Sequence, residues 1–528
     1  MNKIDNIILK GLPIGEQSIK TIIKNNYIYV DKTEYIYNII TKNKYYFLSR
    51  PRRFGKSLLI STLIEIFSGN KELFKNCWIY NSNYEWKKYP IIHLDFSRKK
   101  EDKVKNFYNI LIEQLIKIAS NYNINLNNKT HATSIFEELV IKLYEKEGQI
   151  VFLVDEYDKP ILDNIDNLKF AEENRDTLKG IFSSAKSLSG MLRFEFLTGI
   201  TKFSQTSLFS GPNNLKDLSM SSYYQYLLGY TQNELEFYFK DYIKLALNDE
   251  KLNSYNEKDL LNKIREYYNG YLFSHEDKKL ETVYNPFSIL NFFDDKSFNN
   301  YWFKSGTPSY LIKLLNKYIY DIPEDENNIT LKISELEKFE VEKINLLSLL
   351  FQAGYLTIEN YDQTTHIIKL KYPNEEVRIS FKEQIEIAIE ERFQEEGNNL
   401  KEFIEKDDWN NAFKLFNTFC KNISYGSASK YEHYYAGIFQ GICQGAGFSH
   451  CDSEVHTNDG RIDMVLYANK KIYIIEFKID SSAEKAISQI RSSKYMDKFL
   501  MKNKPIILIG VNFDSDEKGI SDWKVENL

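Results

Sequence analysis

Apolar residues occur in short blocks separated by longer stretches of helical spacing. Lys44 to Ser49 (KYYFLS) is a compact apolar run rich in aromatics, which predicts a strand. Lys56 to Phe67 (KSLLISTLIEIF) places its apolar positions at helical intervals. Further strands are predicted at Ile91 to Phe96, Ile150 to Val154 and Phe194 to Thr198, with helices near 103–120, 133–147 and 171–188 between them. Strands alternating with helices imply a parallel sheet covered on both faces, so this part of the chain is expected to be α/β. From Thr231 to Lys343 the pattern is largely helical, broken at Tyr268-Asn269-Gly270-Tyr271 and Asn285-Pro286-Phe287. Ile344 to Phe381 predicts a helix (INLLSLLFQAG), a strand (YLTIE), a polar turn (NYDQT) and two more strands (HIIKLKY, EVRISF), the order of a winged helix. A charged stretch near Glu383 to Asp408 follows. Then come a helix around Tyr431 to Gly445, strands near Asp452 to Thr457, Ile462 to Tyr467 and Lys471 to Lys478, a helix from Ala483 to Phe499 and a strand from Pro505 to Val511. The pattern divides the chain at 1–230, 231–343, 344–400 and 401–528.

Composition narrows this picture without redirecting it. A chain of 528 residues with 43% hydrophobic and 27% charged residues has ample length for several buried cores, and only 22 Gly and 10 Pro exclude a linker-rich architecture. Lys+Arg 69 against Asp+Glu 74 gives a net charge of −5, so any contact with nucleic acid must come from a local patch. Cys77, Cys420, Cys443 and Cys451 are irregularly spaced and include no C-x-x-C pair, which excludes a disulfide framework and a cysteine zinc site. No apolar run approaches a membrane span, and a reducing, cytoplasmic setting is expected.

The first candidate chemistry is Phe54-Gly55-Lys56-Ser57, between a buried strand and a helix start. A glycine turn there presents backbone N–H groups and the helix dipole to phosphates, with Lys56 directed at the β- and γ-phosphates and Ser57 at Mg²⁺. The P-loop pattern G-x-x-x-x-G-K-[ST] is incomplete, because Arg50 stands at the first glycine position. The context supplies what the motif lacks: IVFLVDEYD is a buried strand ending in Asp155 and Glu156, the placement of a Walker-B pair. Asp155 is expected to hold Mg²⁺ through water and Glu156 to polarise the attacking water. Thr198, ending FEFLTG, is placed to sense the γ-phosphate or simply to cap the strand. Arg52 and Arg53 either approach phosphate or are solvated loop charges. The expected nucleotide-binding set is Arg53, Phe54, Gly55, Lys56, Ser57, Asp155 and Thr198.

Tyr29-Val30-Asp31-Lys32-Thr33, Arg50-Pro51-Arg52-Arg53-Phe54-Gly55-Lys56-Ser57, Val154-Asp155-Glu156-Tyr157-Asp158, Thr198-Gly199-Ile200-Thr201-Lys202-Phe203-Ser204 and Tyr284-Asn285-Pro286-Phe287 together resemble the AAA-ATPase-like proteins that often carry a C-terminal PD-(D/E)XK nuclease-like domain. The resemblance covers nearly the whole chain. It implies a P-loop parallel-sheet ATPase core, a helical and winged-helix-like middle, and a C-terminal α/β restriction-endonuclease-like domain. Arg at the first P-loop position is usual in that family.

The second candidate chemistry lies in the C-terminal strands. Glu476 and Lys478 are two apart on one strand and share a face, while Asp463, thirteen residues upstream, sits on the neighbouring hairpin strand. Two carboxylates with the carbonyl of Phe477 make a hard oxygen site for Mg²⁺ or Mn²⁺, and the Lys478 ammonium can orient water and stabilise charge. This is the PD-(D/E)XK arrangement that the resemblance implies, with Glu432 and Gln489 on the flanking helices as auxiliary residues. The alternative is a surface ion pair on an edge strand. From 401 to 528 there are 17 basic and 18 acidic residues, so phosphate attraction would have to be focused. The helix bearing Lys485, Arg491, Lys494, Lys498 and Lys502 offers such a face, or an ordinary solvated one. His456, two residues after Glu454, is more naturally structural than a ligand.

The leading expectation is an ATP- and Mg²⁺-binding ATPase coupled to a metal-dependent nuclease, with Glu156, Asp463, Glu476 and Lys478 catalytic. Nucleic acid is the expected partner, DNA ahead of RNA, with no membrane, and oligomerisation is left open. The competing expectation is a nucleotide-switched binding or signalling protein whose nuclease-like fold is a platform that does not cleave.

Overall fold

The computed structural model describes the chain except residues 1–2, 5–6, 98–106, 204–214, 277–278, 307–308, 319–327, 337–343, 422–431, 449, 458–459, 469–470, 494–496, 501–503 and 515–518. It divides into two compact units, Met1–Gln384 and Ile385–Leu528.

The first unit is built on a five-stranded sheet of β1 (Tyr45–Ser49), β2 (Ile91–Asp95), β3 (Ile150–Asp155), β4 (Leu192–Gly199) and β5 (Lys216–Asp217). The order is β2-β3-β4-β1-β5 and every pairing is parallel. All six residues of β3 are buried, as a central strand covered on both faces requires. The covering helices include α1 (Thr33–Lys42), α2 (Lys56–Phe67), α3 (Phe107–Asn121), α4 (Ala132–Glu147) and α5 (Leu168–Ser187). Strand and helix positions thus follow the periodicity closely, because buried parallel strands and amphipathic helices leave different marks on a sequence.

The middle region opens with α6 (Gln232–Tyr238), where Thr231 and Glu234 form a reciprocal capping box. Glu234 also receives Lys32 at 2.6 Å. With α7 (Glu257–Tyr268) and α8 (Pro286–Asp295), α6 encloses a core of Leu235, Ile264, Tyr268, Ile289 and Phe292 that Ile28 and Val30 join from the N-terminal segment. The Tyr29–Thr33 motif is therefore a brace: Asp31 accepts from the N–H groups of Thr33 and Trp78 at 2.8 and 2.6 Å, and Lys32 ties it to α6.

After the short helix α9 (Tyr301–Gly306), a small antiparallel sheet is formed by β6 (Ile329–Lys332), β7 (Thr357–Asp362) and β8 (Ile367–Lys371), with α10 (Leu346–Ala353) before β7. One expectation fails here. EVRISF is not a strand: it lies in the long helix α11 (Glu375–Glu405), and the third strand comes instead from β6, upstream. Val377, Phe381 and Ala388 are buried at helical intervals, and Asn374 accepts from the N–H of Val377 at 3.1 Å as a cap, so tertiary burial selects the helical period over the alternating one. The charged stretch after 383 belongs to the same helix.

In the second unit, α12 (Trp409–Lys421) and α13 (Glu432–Gly445) accompany a sheet of β9 (Cys451–Thr457), β10 (Gly460–Ala468), β11 (Lys471–Ile479), β12 (Ile506–Asp514) and β13 (Gly519–Asn527), with α14 (Ala483–Ser492) between β11 and β12. The strands lie in sequence order, antiparallel except for the central β11–β12 pair, which α14 connects. One core contains Phe413, Phe416, Phe439 and Phe477, and a second contains Val465, Ile474, Ile487 and Leu508, so alternate residues of the strands feed opposite faces. No helix among the described residues is long and apolar enough to cross a membrane.

Glu195 of β4 is fully buried and its Oε1 meets no hydrogen-bond donor; burial pushes its carboxyl from 4.5 up to about 8. A raised carboxylate pKa stabilises the fold fully below the unfolded value and loses that contribution as pH rises from about 4.5 through 8. Glu195→Gln should therefore gain stability over wild type between pH 5 and pH 8. An equal difference in urea midpoint at both pH values would contradict this.

Candidate active sites

The β1–α2 junction carries the first site. Gly55 caps α2 with φ +94°, and Arg53 (φ +65°) and Glu156 (φ +53°) also occupy the left-handed region, so three residues facing one cleft hold uncommon backbone conformations. The cleft measures about 1320 Å³ and is lined by Gln17, Tyr29, Arg53, Lys56, Ser57, Glu156 and Phe287 among others. Lys56 is buried and folded back onto the loop, its Nζ 2.8 Å from the carbonyl oxygens of both Arg50 and Pro51. Burial lowers its pKa, against the pull of Glu156, Asp155 and Asp158.

Asp155 is buried and hydrogen-bonded to Ser57, yet its Oδ1 has no partner. Burial raises its pKa to about 6; the Ser57 bond opposes this, and Glu156 adds to it. A buried carboxylate oxygen without a donor, beside the hydroxyl that opens the helix, fits a divalent cation. Glu156 is raised by burial and eased by Lys56 and Arg52. Asp158 accepts from the N–H of Ile200, the N–H of Thr201 and the Thr201 hydroxyl at 2.8, 2.6 and 2.8 Å, tying the end of β3 to the loop after β4. Thr198 is fully buried and its hydroxyl meets no partner.

The loop before Gly55 is held from outside, residue by residue. The Arg50 guanidinium is buried over the Phe273 ring at 4.1 Å and donates to the carbonyls of Ser49, Ser219 and Tyr224; burial lowers its pKa to about 9. Pro51 lies against Gly354, where a Cβ would come within 2.6 Å of the proline ring. The Arg52 carbonyl accepts from the Trp302 indole at 3.0 Å. The Arg53 guanidinium lies 4.8 Å over the Phe287 ring, and the Phe54 ring meets Tyr271 edge-on at 4.8 Å.

The second site lies on β10 and β11. Their pairing runs to Met464 and Ile475, and just beyond it the N–H of Phe477 donates to the Asp463 carboxylate at 2.9 Å. Glu476 is fully buried: Lys478 reaches its Oε1 at 3.3 Å, Gln489 donates to the same oxygen, and Oε2 has no donor. Its pKa is raised by burial first and by Asp463 second, while Lys478 pulls it back. The Lys478 ammonium also lies 2.8 Å from the Phe477 carbonyl. Among the described residues no group of three or more His, Cys, Asp or Glu side chains surrounds a metal-sized space. The fit to a cation therefore rests on two carboxylates and the donor-free Oε2.

A family model described as Predicted AAA-ATPase matches residues 13–209, and one for the PD-(D/E)XK nuclease superfamily matches residues 430–523. A curated relative, "Uncharacterized protein in vnfD 5'region" from Azotobacter chroococcum mcd 1, is 34% identical over 541 residues, spanning 98% of this chain and 99% of its own. The chain belongs to the predicted AAA-ATPase family with a C-terminal PD-(D/E)XK nuclease superfamily domain. Among solved structures, the Aeropyrum pernix ORC1 protein in complex with DNA aligns at 12% identity and TM-score 0.27, covering 69% of this chain and 95% of that one. The ORC2 protein of that organism, in ADPNP–ADP complexes, aligns at 11% identity and TM-score 0.26, covering 74% and 97%.

Within this AAA-ATPase-like chain, Arg53, Gly55, Lys56, Ser57 and Glu156 line one cleft, whereas the Phe54 ring is buried among aromatics and Asp155 and Thr198 are buried. Asp463, Glu476, Lys478 and Gln489 come together. The side chains of Glu432, Glu454, His456, Lys494, Lys498 and Lys502 lie outside the described residues. Arg491 of α14 pairs with Glu526 at 2.5 Å, which spends part of the expected basic face. Trp302, Gly354, Phe273 and Tyr271 went unrecognised as parts of the first site. The breaks at 268–271 and 285–287 mark their neighbourhood, but nothing in the sequence links them to residues more than two hundred positions away. Gly354→Ala should cost about 2 kcal/mol of stability, from positive φ (+92°) and collision with Pro51 together. Thermal unfolding unchanged from wild type would show that Pro51 yields freely.

Proposed function

We propose that the protein binds and hydrolyses ATP in the β1–α2 cleft and cleaves phosphodiester bonds of nucleic acid at the Asp463–Glu476–Lys478 site, with nucleotide state gating cleavage. The observation that carries the first half is the donor-free oxygen of buried Asp155, hydrogen-bonded to Ser57, which lines the cleft with Lys56 and Glu156. Ser57 and Asp155 would hold Mg²⁺, which neutralises charge between the phosphates. Lys56 exchanges two loop carbonyls for the β- and γ-phosphates, Glu156 orients the water, and Thr198 reads the γ-phosphate. At the second site Asp463 and Glu476 would hold Mg²⁺ or Mn²⁺, which supplies an activated water. Lys478 stabilises the charge that develops on the phosphate, and Gln489 fixes the Glu476 carboxyl. DNA is the proposed substrate ahead of RNA.

One observation favours the competing reading of a platform that does not cleave: Lys478 sits on the Phe477 carbonyl and on Glu476 Oε1, two of the oxygens a cation would use. Cleavage therefore requires this ammonium to move aside.

For nucleotide, Lys56→Ala should abolish ATP binding in calorimetry, and unchanged affinity would dismiss the P-loop assignment. Glu156→Gln should bind ATP and hydrolyse it at least a hundredfold more slowly, consistent with loss of general-base assistance.

For the second site, wild type should cut nucleic acid in Mg²⁺ or Mn²⁺, in some nucleotide state, and not in EDTA. Asp463→Ala and Glu476→Ala should lose metal binding and cleavage together. Lys478→Ala should retain metal and lose turnover. A folded protein that binds no divalent metal and cuts no nucleic acid in any nucleotide state would establish the platform reading.

A further inference from the structure

Glu376, near the start of α11, is fully buried and touches both walls of the nucleotide cleft through one intermediary on each side. Its Oε1 accepts from the backbone N–H of Trp302 at 2.6 Å, and the Trp302 indole in turn donates to the Arg52 carbonyl of the loop. Its Oε2 accepts from the Ser288 hydroxyl at 2.7 Å; Ser288 follows Phe287, which lines the cleft beneath Arg53. Two residues before Glu376, Asn374 donates to the carbonyl of Asn269 at 2.7 Å, in the turn whose Tyr271 meets Phe54. One carboxyl group at the head of a helix is thus joined to the loop on one side and to the opposite cleft wall on the other, in a core too tightly packed for either link to shift alone.

We propose that Trp302 and Glu376 form the joint that passes occupancy of the nucleotide cleft from the loop at Arg52 to the head of α11. The proposal rests on the nucleotide reading above and names its internal readout. Phosphate drawn into the loop displaces Lys56 from the Arg50 and Pro51 carbonyls, so the backbone at 50–52 must readjust. The Arg52 carbonyl is the point at which Trp302 feels that change. Burial raises the Glu376 pKa, and an amide can replace the carboxyl because its oxygen still accepts from the Trp302 N–H while its NH₂ can donate to the Ser288 hydroxyl oxygen. Trp302 and Glu376 are positioning residues: neither lines the cleft.

The experiment is hydrogen exchange over residues 374–381, with and without ATP, on the full chain, together with calorimetry. In wild type, ATP should slow exchange there severalfold. Trp302→Phe keeps the ring and deletes the N–H; it should bind ATP within about fivefold of wild type, the worth of one ordinary hydrogen bond, and lose the slowing. Glu376→Gln, which keeps an acceptor for the Trp302 N–H, should retain it, whereas Glu376→Ala and Glu376→Met should lose it; because Met fills a similar space without an acceptor, a merely structural packing role predicts retention there instead. Equal slowing in Trp302→Phe and wild type, or slowing in neither while ATP binds, overturns the joint and leaves the nucleotide reading intact. Failure of wild type to bind ATP overturns that reading itself.

Discussion

The five residues Arg50 to Phe54 constrain the whole first unit. A phosphate-binding loop built on glycines closes on its own backbone, because nothing projects from it. Here the corresponding stretch carries two rings and three guanidinium groups, and each needs a home. Phe273, Gly354, Phe287 and Tyr271 meet the side chains of Arg50, Pro51, Arg53 and Phe54, and Trp302 holds the Arg52 carbonyl, all from beyond the α/β core. Arg50 shows the energetics most plainly: burying a guanidinium is expensive, and three backbone carbonyls with an aromatic face offset the cost. The middle region is therefore a structural part of the loop. Removing it would expose apolar rings and take the aromatic cover from the Arg50 guanidinium, leaving only its carbonyl partners.

Both candidate sites rest on the same physical device. A buried strand delivers a carboxylate to the point where it leaves the core, and packing leaves one oxygen without a donor: Asp155 Oδ1 at the end of β3, Glu476 Oε2 on β11. Such an oxygen is costly in the absence of a cation and becomes an asset when one arrives. In each site a lysine supplies interim compensation. Lys56 rests on loop carbonyls and Lys478 on Glu476 and the Phe477 carbonyl. On the proposed function, ligand binding at either site would be an exchange of partners rather than the filling of an idle pocket.

The sequence by itself determined the alternation of the main strands and helices in both α/β regions, since period-2 and period-3.6 burial are local properties, but it did not mark α1, β5, α12 or β13. It placed Lys56 and Ser57 at a helix start, Asp155 and Glu156 at a strand end, and Glu476 with Lys478 on one face. Tertiary structure alone decided the rest. EVRISF fits both periods, and only the burial of Val377, Phe381 and Ala388 with the Asn374 cap made it helical. Arg50 reads only as the residue standing at the first P-loop glycine position, and nothing local shows that its guanidinium is enclosed by the carbonyls of Ser219 and Tyr224. Glu376 reads as the polar first residue of the expected EVRISF strand, yet it is among the most buried carboxyl groups in the first unit. These facts depend on contacts between positions that are tens to hundreds of residues apart. Local patterning specifies which face of an element is apolar, but what that face meets is set by how the elements pack.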